Sequence, residues 1–128
     1  MPDKKIVIVD DDETLRKTFT LLLGKKYKVY SVKDSEEALA RFGRSKVDLV
    51  IADYKLPSQT GVELIKRLRA AGFEGEAMLI SAHPDLVRVE DLNRYSISYF
   101  FVKPLDLDVL NLSIDRVLQP KKLLETHA

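Results

Sequence analysis

Short apolar runs alternate with amphipathic stretches along most of the chain. Each run is rich in branched or aromatic residues and is too short for a typical helix, so it predicts a strand. The runs lie at Ile6–Val9, Tyr27–Val32, Val47–Ala52, Ala77–Ala82 and Ser98–Val102. In the segments between them, apolar residues recur at the spacing of one helix face. This alternation predicts parallel strands that are joined by right-handed crossover helices.

The helical segments differ in how clearly they are patterned. The last one, from Leu107 to Leu118, has the clearest amphipathic face, whereas the fourth, which Pro84 opens, is only moderately patterned. Gly24 and Gly72 are expected to end the first and third helices. The predicted fold is therefore an α/β, (βα)5 flavodoxin-like three-layer sandwich, with a five-stranded parallel sheet of order 2-1-3-4-5.

Length and composition narrow the possible roles. A chain of 128 residues fits one domain, expected over residues 1–120 with a tail at 121–128. The net charge of +1 gives no general attraction to nucleic acid or to an anionic membrane. The absence of cysteine excludes disulfides and thiolate metal sites. The apolar stretch after Lys5 is too short for a signal peptide or a membrane span, so a cytoplasmic location is expected.

Reactive side chains follow the ends of the predicted strands. Asp10, Asp11 and Asp12 follow the first strand, and Asp53 follows the third. Ser81 lies at the end of the fourth strand, and Lys103 follows the fifth. The carboxyl ends of parallel strands share one edge of the sheet, where ligands bind in this fold class. Because the first and third strands are expected to be neighbours, Asp10, Asp11 and Asp53 should lie together.

Converging carboxylates need either raised pKa values or a bound cation. Oxygen ligands without histidine or cysteine favour Mg²⁺, Mn²⁺ or Ca²⁺ over zinc, and Mg²⁺ fits best because it leaves waters for a phosphate to replace. Lys103 adds a point charge for a phosphate, and Ser81 adds a hydroxyl donor. Together these groups suit phosphoryl transfer to a carboxylate, which gives an aspartyl phosphate.

Taken together and in order, these motifs resemble a known family. The family is the receiver domain of bacterial two-component response regulators. This chain resembles it at Val9–Asp12, Asp48–Pro57 with Gly61, Ile80–Ala82 and Val102–Pro104. The resemblance covers nearly the whole chain. It implies a signalling switch and not an enzyme with an external product: the domain phosphorylates itself from a donor and loses the group slowly.

The resemblance also implies a role for each residue at the strand ends. Asp53 would accept the phosphoryl group from a sensor histidine kinase or a phosphotransfer protein. Asp11, Asp53 and the backbone carbonyl of Lys55 would bind Mg²⁺, with Mn²⁺ as an alternative, and Asp10 would assist, most simply through water. Ser81 and Lys103 would contact the transferred group.

Further positions would carry the signal and set its lifetime. Phe100 falls where the family has its switch aromatic; it would turn inward when Ser81 moves, and the face of helix 4, strand 5 and helix 5 would change. A downstream output protein would bind that face, and the chain would be a monomer or a weak homodimer through helices 4 and 5. Lys55 and His83, two residues beyond Asp53 and Ser81, would modulate dephosphorylation.

Several alternatives remain open on the residues alone. Asp10-x-Asp12-x-Thr14 also resembles the haloacid-dehalogenase phosphatases, with Asp10 as nucleophile, although the acidic pair expected after the lysine is missing. A flavin mononucleotide carrier is disfavoured because the acids would repel its phosphate, and a receiver-like binding module that is never phosphorylated is a third alternative. Asp12 is expected to cap the first helix, and packing in the core is the alternative role for Phe100.

The chain length bears on how a signal would leave the domain. Only ten residues follow Leu118, which is too few for a DNA-binding or catalytic output domain. Output is therefore expected through protein–protein contact, unless the chain is the N-terminal fragment of a longer transcriptional regulator.

Overall fold

The computed structural model describes residues 4–119, which form one parallel sheet with helices on both faces. The strands are β1 (Lys5–Val9), β2 (Lys28–Val32), β3 (Leu49–Asp53), β4 (Glu76–Ser81) and β5 (Ile97–Val102). The helices are α1 (Glu13–Leu23), α2 (Ser35–Phe42), α3 (Gly61–Ala70), α4 (Val89–Arg94) and α5 (Leu107–Leu118). The sheet order is β2-β1-β3-β4-β5, which confirms the predicted fold. The predicted tail at 121–128 lies outside the described residues.

The sheet separates two apolar cores, because alternate residues of each strand face opposite sides. One core packs α2 and α3 on the sheet and is represented by Val7, Val50, Leu79, Leu64 and Ile65. The other packs α1 and α5 on the opposite face and is represented by Ile8, Ile51, Ile80, Phe19 and Ile114. The central strand β3 is buried along its whole length, so the residue that ends it is held rigidly.

Side chains and glycines fix where the helices begin and end. Asp12 caps α1 by accepting a hydrogen bond from the Leu15 amide at 3.2 Å, as the sequence predicts. Thr60 opens α3 with a reciprocal capping box to Glu63. At the end of α3, Gly72 has a φ of 109°, which is a backbone conformation that few other residues adopt.

The fourth helix differs from its prediction. Pro84 opens only a single 3₁₀ turn, Pro84–Leu86, and α4 begins later, at Val89. The backbone is extended at Val87 and Arg88, which separates the two elements. Leu86 and Val89, the apolar residues that would continue the face of this helix, are exposed, so their packing does not extend the helix back to Pro84.

Candidate functional site

The sheet brings three carboxylates together at the carboxyl end of its central strands. Asp10 and Asp11 follow β1, and Asp53 ends β3, with Val9 paired to Ala52 in the neighbouring register. One carboxylate oxygen from each acid lies within 4.8 Å of the others. We call Asp10, Asp11 and Asp53 the acid cluster. Its formation is the juxtaposition that the strand order predicts.

Asp10 is the most deeply buried member of the acid cluster, with 2% of its surface exposed. Its Oδ1 accepts a hydrogen bond from the Asp12 amide at 2.9 Å. Its Oδ2 is buried and accepts no hydrogen bond from the described residues. Burial, reinforced by the nearby charge of Asp53, raises the pKa of Asp10 to about 6, although the Asp12 amide and Lys103 oppose the rise. A buried carboxylate oxygen without a donor fits an oxygen-binding cation such as Mg²⁺.

Lys103 joins the acid cluster from the edge of the sheet. Its backbone amide donates to the Ser81 carbonyl at 2.9 Å, which continues the pairing of β4 and β5. Its ammonium donates to Asp53 Oδ2 at 3.0 Å and lies 3.6 Å from Asp10 Oδ2. Burial alone would lower the pKa of Lys103, but the hydrogen bond to Asp53 and the charges of Asp10 and Asp53 outweigh it and raise that pKa. The lysine is therefore charged, and its ammonium already contacts Asp53 and lies close to Asp10.

An open cleft of about 400 Å³ lies above the acid cluster. Its lining includes Asp11, Asp53, Lys55, His83 and Lys103. This places both residues predicted to modulate dephosphorylation at the mouth of the site. The cleft is large enough for a phosphoryl group together with hydrated metal.

Ser81 ends β4 beside the site, but it does not line the cleft above the acid cluster as the sequence suggests. Only 1% of its surface is exposed. Its Oγ accepts a hydrogen bond from the His83 amide at 2.8 Å. The hydroxyl is thus engaged with the following loop and is not among the groups that line the cleft. It would need to turn to reach a ligand bound at Asp53.

The loop after β3 is closed tightly against the site. The Lys55 amide faces Asp53 Oδ1 at 3.4 Å, and the Gly61 amide donates to the Tyr54 carbonyl at 2.7 Å. A Cβ atom at Gly61 would lie 2.3 Å from the backbone oxygen of Asp53. Only glycine therefore allows α3 to begin directly against the end of β3. Gly61 positions the loop that carries Lys55.

Phe100 lies on β5 and is partly buried. It packs against the same core as α2 and α3. Its ring is therefore neither fully buried nor fully exposed to solvent.

We call the surface formed by α4, β5 and α5, which the sequence resemblance implies would carry the signal, the output face. Six of the seven large hydrophobic residues that are exposed among residues 4–119 lie on or next to it: Leu86, Val89, Val102, Leu107, Val109 and Leu112. In residues 4–119 no helix has the length and apolar character to span a membrane.

Sequence reasoning missed one residue that contacts the acid cluster. Arg16, in α1, donates from Nη1 to the backbone oxygen of Asp10 at 2.8 Å. The position of Arg16 in the sequence was a signal. A basic residue near a helix N-terminus opposes the helix dipole, which indicates a compensating contact elsewhere. The partner itself could not be read from spacing alone.

Comparisons with known proteins decide the family. A family model described as "Response regulator receiver domain" matches residues 6–115, which is most of the chain. The chain belongs to this family. Receiver-domain membership explains why the acids, the serine and the lysine occur together at the strand ends.

Receiver relatives match over different fractions of their own length. The chain is 25% identical to Sporulation initiation phosphotransferase F of Bacillus subtilis over 122 residues, which cover 94% of this chain and 98% of that protein. It is 26% identical to Regulatory protein AtoC of Escherichia coli, covering 90% of this chain but 25% of that protein. The chain therefore spans the full length of some relatives and about a quarter of others.

Solved structures share the receiver fold. A response regulator receiver domain protein from Clostridium thermocellum superposes with a TM-score of 0.81 at 24% identity, covering 95% of this chain and 99% of that one. The chemotaxis protein CheY4 of Vibrio cholerae superposes with a TM-score of 0.77 at 25% identity, covering 90% of this chain and 98% of that one. These likenesses support the fold over nearly all of the described residues.

Proposed function

We propose that this receiver domain is a phosphorylation-dependent signalling switch that accepts a phosphoryl group on Asp53. The contact between the Lys103 ammonium and Asp53 Oδ2, at 3.0 Å, is the observation that carries the proposal. It supplies a fixed positive charge beside the one carboxylate of the acid cluster that ends a fully buried strand. Preorganised charge of this kind is the main contribution that a protein makes to phosphoryl transfer.

The acid cluster would hold the metal that this reaction needs. Asp11 and Asp53, with the backbone carbonyl of Lys55, would bind Mg²⁺ or Mn²⁺, and Asp10 would assist. The buried Oδ2 of Asp10, which accepts no hydrogen bond from the described residues and has only the Lys103 ammonium nearby at 3.6 Å, supports this assignment. Bound Mg²⁺ would neutralise negative charge on the phosphoryl oxygens and on the acids.

The transfer itself is a displacement at phosphorus. A carboxylate oxygen of Asp53 forms the new P–O bond as the P–N bond of a kinase phosphohistidine breaks, and the histidine nitrogen takes up a proton. Lys103 stays paired with the phosphorylated side chain. Ser81, whose oxygen accepts from the His83 amide and whose O–H is free to donate, turns toward the phosphoryl group and donates a hydrogen bond to a phosphoryl oxygen. The product remains on the protein, so the domain acts as a switch and not as an enzyme with an external product.

Movement of Ser81 would be the link to the output face. It frees space beside β4, and Phe100 turns inward from its partly buried position. The exposed apolar residues of α4, β5 and α5 then present a different surface to a downstream output protein. The same face would allow a weak homodimer, and the free domain would otherwise be a monomer. A two-state element biased by one covalent charge is a recurrent form of regulation.

Lys55 and His83 would set how long the signal lasts. Both line the cleft at its solvent side, where water must enter to hydrolyse the aspartyl phosphate. Their side chains would control the access and orientation of that water. A cytoplasmic location would give the domain access to its kinase, while nucleic acid and membrane would not be direct partners.

The phosphatase alternative places the nucleophile on Asp10 and can be tested against this proposal chemically. Incubation with phosphoramidate and Mg²⁺, followed by borohydride reduction, converts a phosphorylated aspartate to homoserine. Peptide mapping should find homoserine at position 53. Homoserine at position 10 would support the phosphatase reading, although the buried Asp10 carboxylate is poorly placed for it.

A further inference from the structure

Arg16, near the start of α1, contacts the acidic turn, the segment Asp10–Asp12 between β1 and α1. Its Nη1 donates to the Asp10 carbonyl oxygen at 2.8 Å. The next residue, Lys17, has the same charge but faces solvent, with 73% of its side chain exposed and Glu13 at 3.3 Å. Two adjacent basic residues on one helix thus differ in whether they touch the turn between β1 and α1. This difference provides a matched comparison within the chain.

The Asp10 carbonyl belongs to the peptide group that leads into Asp11. The rest of this turn is held from other directions: the Asp10 amide donates to Val32 O at 3.1 Å, and the Asp12 amide donates to Asp10 Oδ1 at 2.9 Å. Asp11 is exposed, and within residues 4–119 its carboxylate accepts no hydrogen bond. No hydrogen bond orients the Asp11 carboxylate, so the backbone at Asp11 decides in which direction its side chain leaves the chain. Arg16 holds the peptide group between Asp10 and Asp11, on which this backbone conformation depends.

The position of Arg16 also has an electrostatic consequence. A guanidinium near the start of a helix opposes the helix dipole, which is unfavourable. The charge-assisted bond to the Asp10 carbonyl offsets this cost. The guanidinium makes this contact without occupying the cleft, whose lining does not include Arg16.

We propose that Arg16 is a positioning residue for metal binding: by fixing the peptide between Asp10 and Asp11, it keeps the Asp11 carboxylate directed into the acid cluster. This inference rests on the proposed function, because it assigns the acid cluster to Mg²⁺. Groups that orient metal ligands without touching the metal commonly change metal affinity by about 10- to 100-fold when they are removed.

Direct Mg²⁺ binding to the unphosphorylated full chain tests the inference by calorimetry. Arg16→Gln should raise the Mg²⁺ dissociation constant about tenfold, and Arg16→Lys should restore part of the affinity because an ammonium can donate a single bond to the same carbonyl. Lys17→Gln, the matched control, should bind as the unmodified chain does. Equal affinities for Arg16→Gln and Lys17→Gln would overturn the inference.

The dependence of phosphorylation on Mg²⁺ gives a second readout. In Arg16→Gln, the Mg²⁺ concentration for half-maximal labelling by phosphoramidate should rise, while the rate at saturating Mg²⁺ stays close to that of the unmodified chain. A lower maximal rate at an unchanged half-saturating concentration would contradict a role in positioning the metal ligand. If Arg16→Gln does not fold, Arg16→Lys serves instead. Its Mg²⁺ dissociation constant should exceed that of the unmodified chain, and an unchanged dissociation constant would contradict the inference.

The two proposals can fail separately. If the unmodified chain binds Mg²⁺ but is never labelled at Asp53, the proposed function fails while the affinity comparison between the Arg16 and Lys17 variants still decides the inference. If the unmodified chain is labelled and Arg16→Gln shows an unchanged Mg²⁺ dependence, the inference fails and the proposed function stands.

Discussion

The ammonium of Lys103 lies 3.0 Å from Asp53 Oδ2 and 3.6 Å from Asp10 Oδ2. A single cation thus joins the carboxyl ends of β1, β3 and β5. In the metal-free protein it balances part of the negative charge of the acid cluster, and in the phosphorylated protein it would pair with the new charge on Asp53. The same side chain therefore contributes to both states of the proposed switch.

Replacing Lys103 should separate metal binding from signalling. In Lys103→Met, the Mg²⁺ dissociation constant should stay the same or fall, because a cation that competes for the acids is removed. When both proteins are compared at the same extent of phosphorylation, the resonances of Phe100 should shift less in Lys103→Met, because the lysine that follows β5 no longer pairs with the phosphoryl group. Calorimetry and NMR spectra with and without a phosphoryl donor measure the two effects. Comparable losses of Mg²⁺ affinity and of the Phe100 shift would indicate that Lys103 only supports the metal site. Lys17→Met serves as the control.

The stability of the metal-free protein should depend on the ionisation of Asp10. Burial raises its pKa from an ordinary 3.8 to about 6, so the fold favours the protonated carboxyl. The stability that this group contributes is therefore complete below about pH 4 and is lost as the pH rises through about 6. At pH 8 this loss lowers the free energy of unfolding by about 3 kcal/mol.

Asp10→Asn should remove this pH dependence. In urea unfolding with a chelator present, the variant should be about 2–3 kcal/mol more stable than the unmodified chain at pH 8 and show little gain at pH 4. Saturating Mg²⁺ should narrow the difference, because the metal stabilises only the intact acid cluster. Asp12→Asn is the matched control, since asparagine caps a helix about as well as aspartate. An equal gain at both pH values would show that burial of the Asp10 charge is not the cause.

Arg69 should anchor the C-terminal end of α4. Its guanidinium donates to the backbone oxygens of Tyr95 and Ser96 at 3.1 Å each, and to those of Phe73 and Gly75 at 3.2 and 2.6 Å. Arg69→Met leaves these carbonyls without a charged donor and should destabilise the fold by about 2–4 kcal/mol. Amide exchange should accelerate most at residues 94–97. Denaturant unfolding and hydrogen exchange measure the two effects.

The neighbouring Arg67 provides the control for this prediction. It lies on the same helix but is exposed, and Arg67→Met should change the free energy of unfolding by less than about 0.5 kcal/mol. If both variants lose the same stability, the four carbonyl contacts do not account for the role of Arg69.

The sequence predicted the elements that depend on local pattern. The strand runs, the cap at Asp12 and the meeting of Asp10 with Asp53 follow from hydrophobic periodicity, from side-chain chemistry and from the rule that parallel strands share their carboxyl ends. Lys103 was equally predictable, because the end of an apolar strand and Pro104 fix where it emerges.

The remaining features depend on contacts between distant segments. The late start of α4 could not be predicted because Leu86 and Val89 have the composition of a core face but remain exposed. The carbonyl partners of Arg16 and Arg69 are set by how helices lie on the sheet, and no residue spacing specifies a backbone acceptor. The engagement of the Ser81 hydroxyl with the His83 amide likewise depends on the conformation of a loop.

Intact-protein mass spectrometry after incubation with acetyl phosphate tests the central claim most directly. The unmodified chain, Asp53→Asn and Asp10→Asn are compared with and without Mg²⁺. We predict one added phosphoryl group that requires Mg²⁺ and is absent only from Asp53→Asn. Labelling of Asp53→Asn at the level of the unmodified chain would contradict the assignment of Asp53 as the phospho-acceptor.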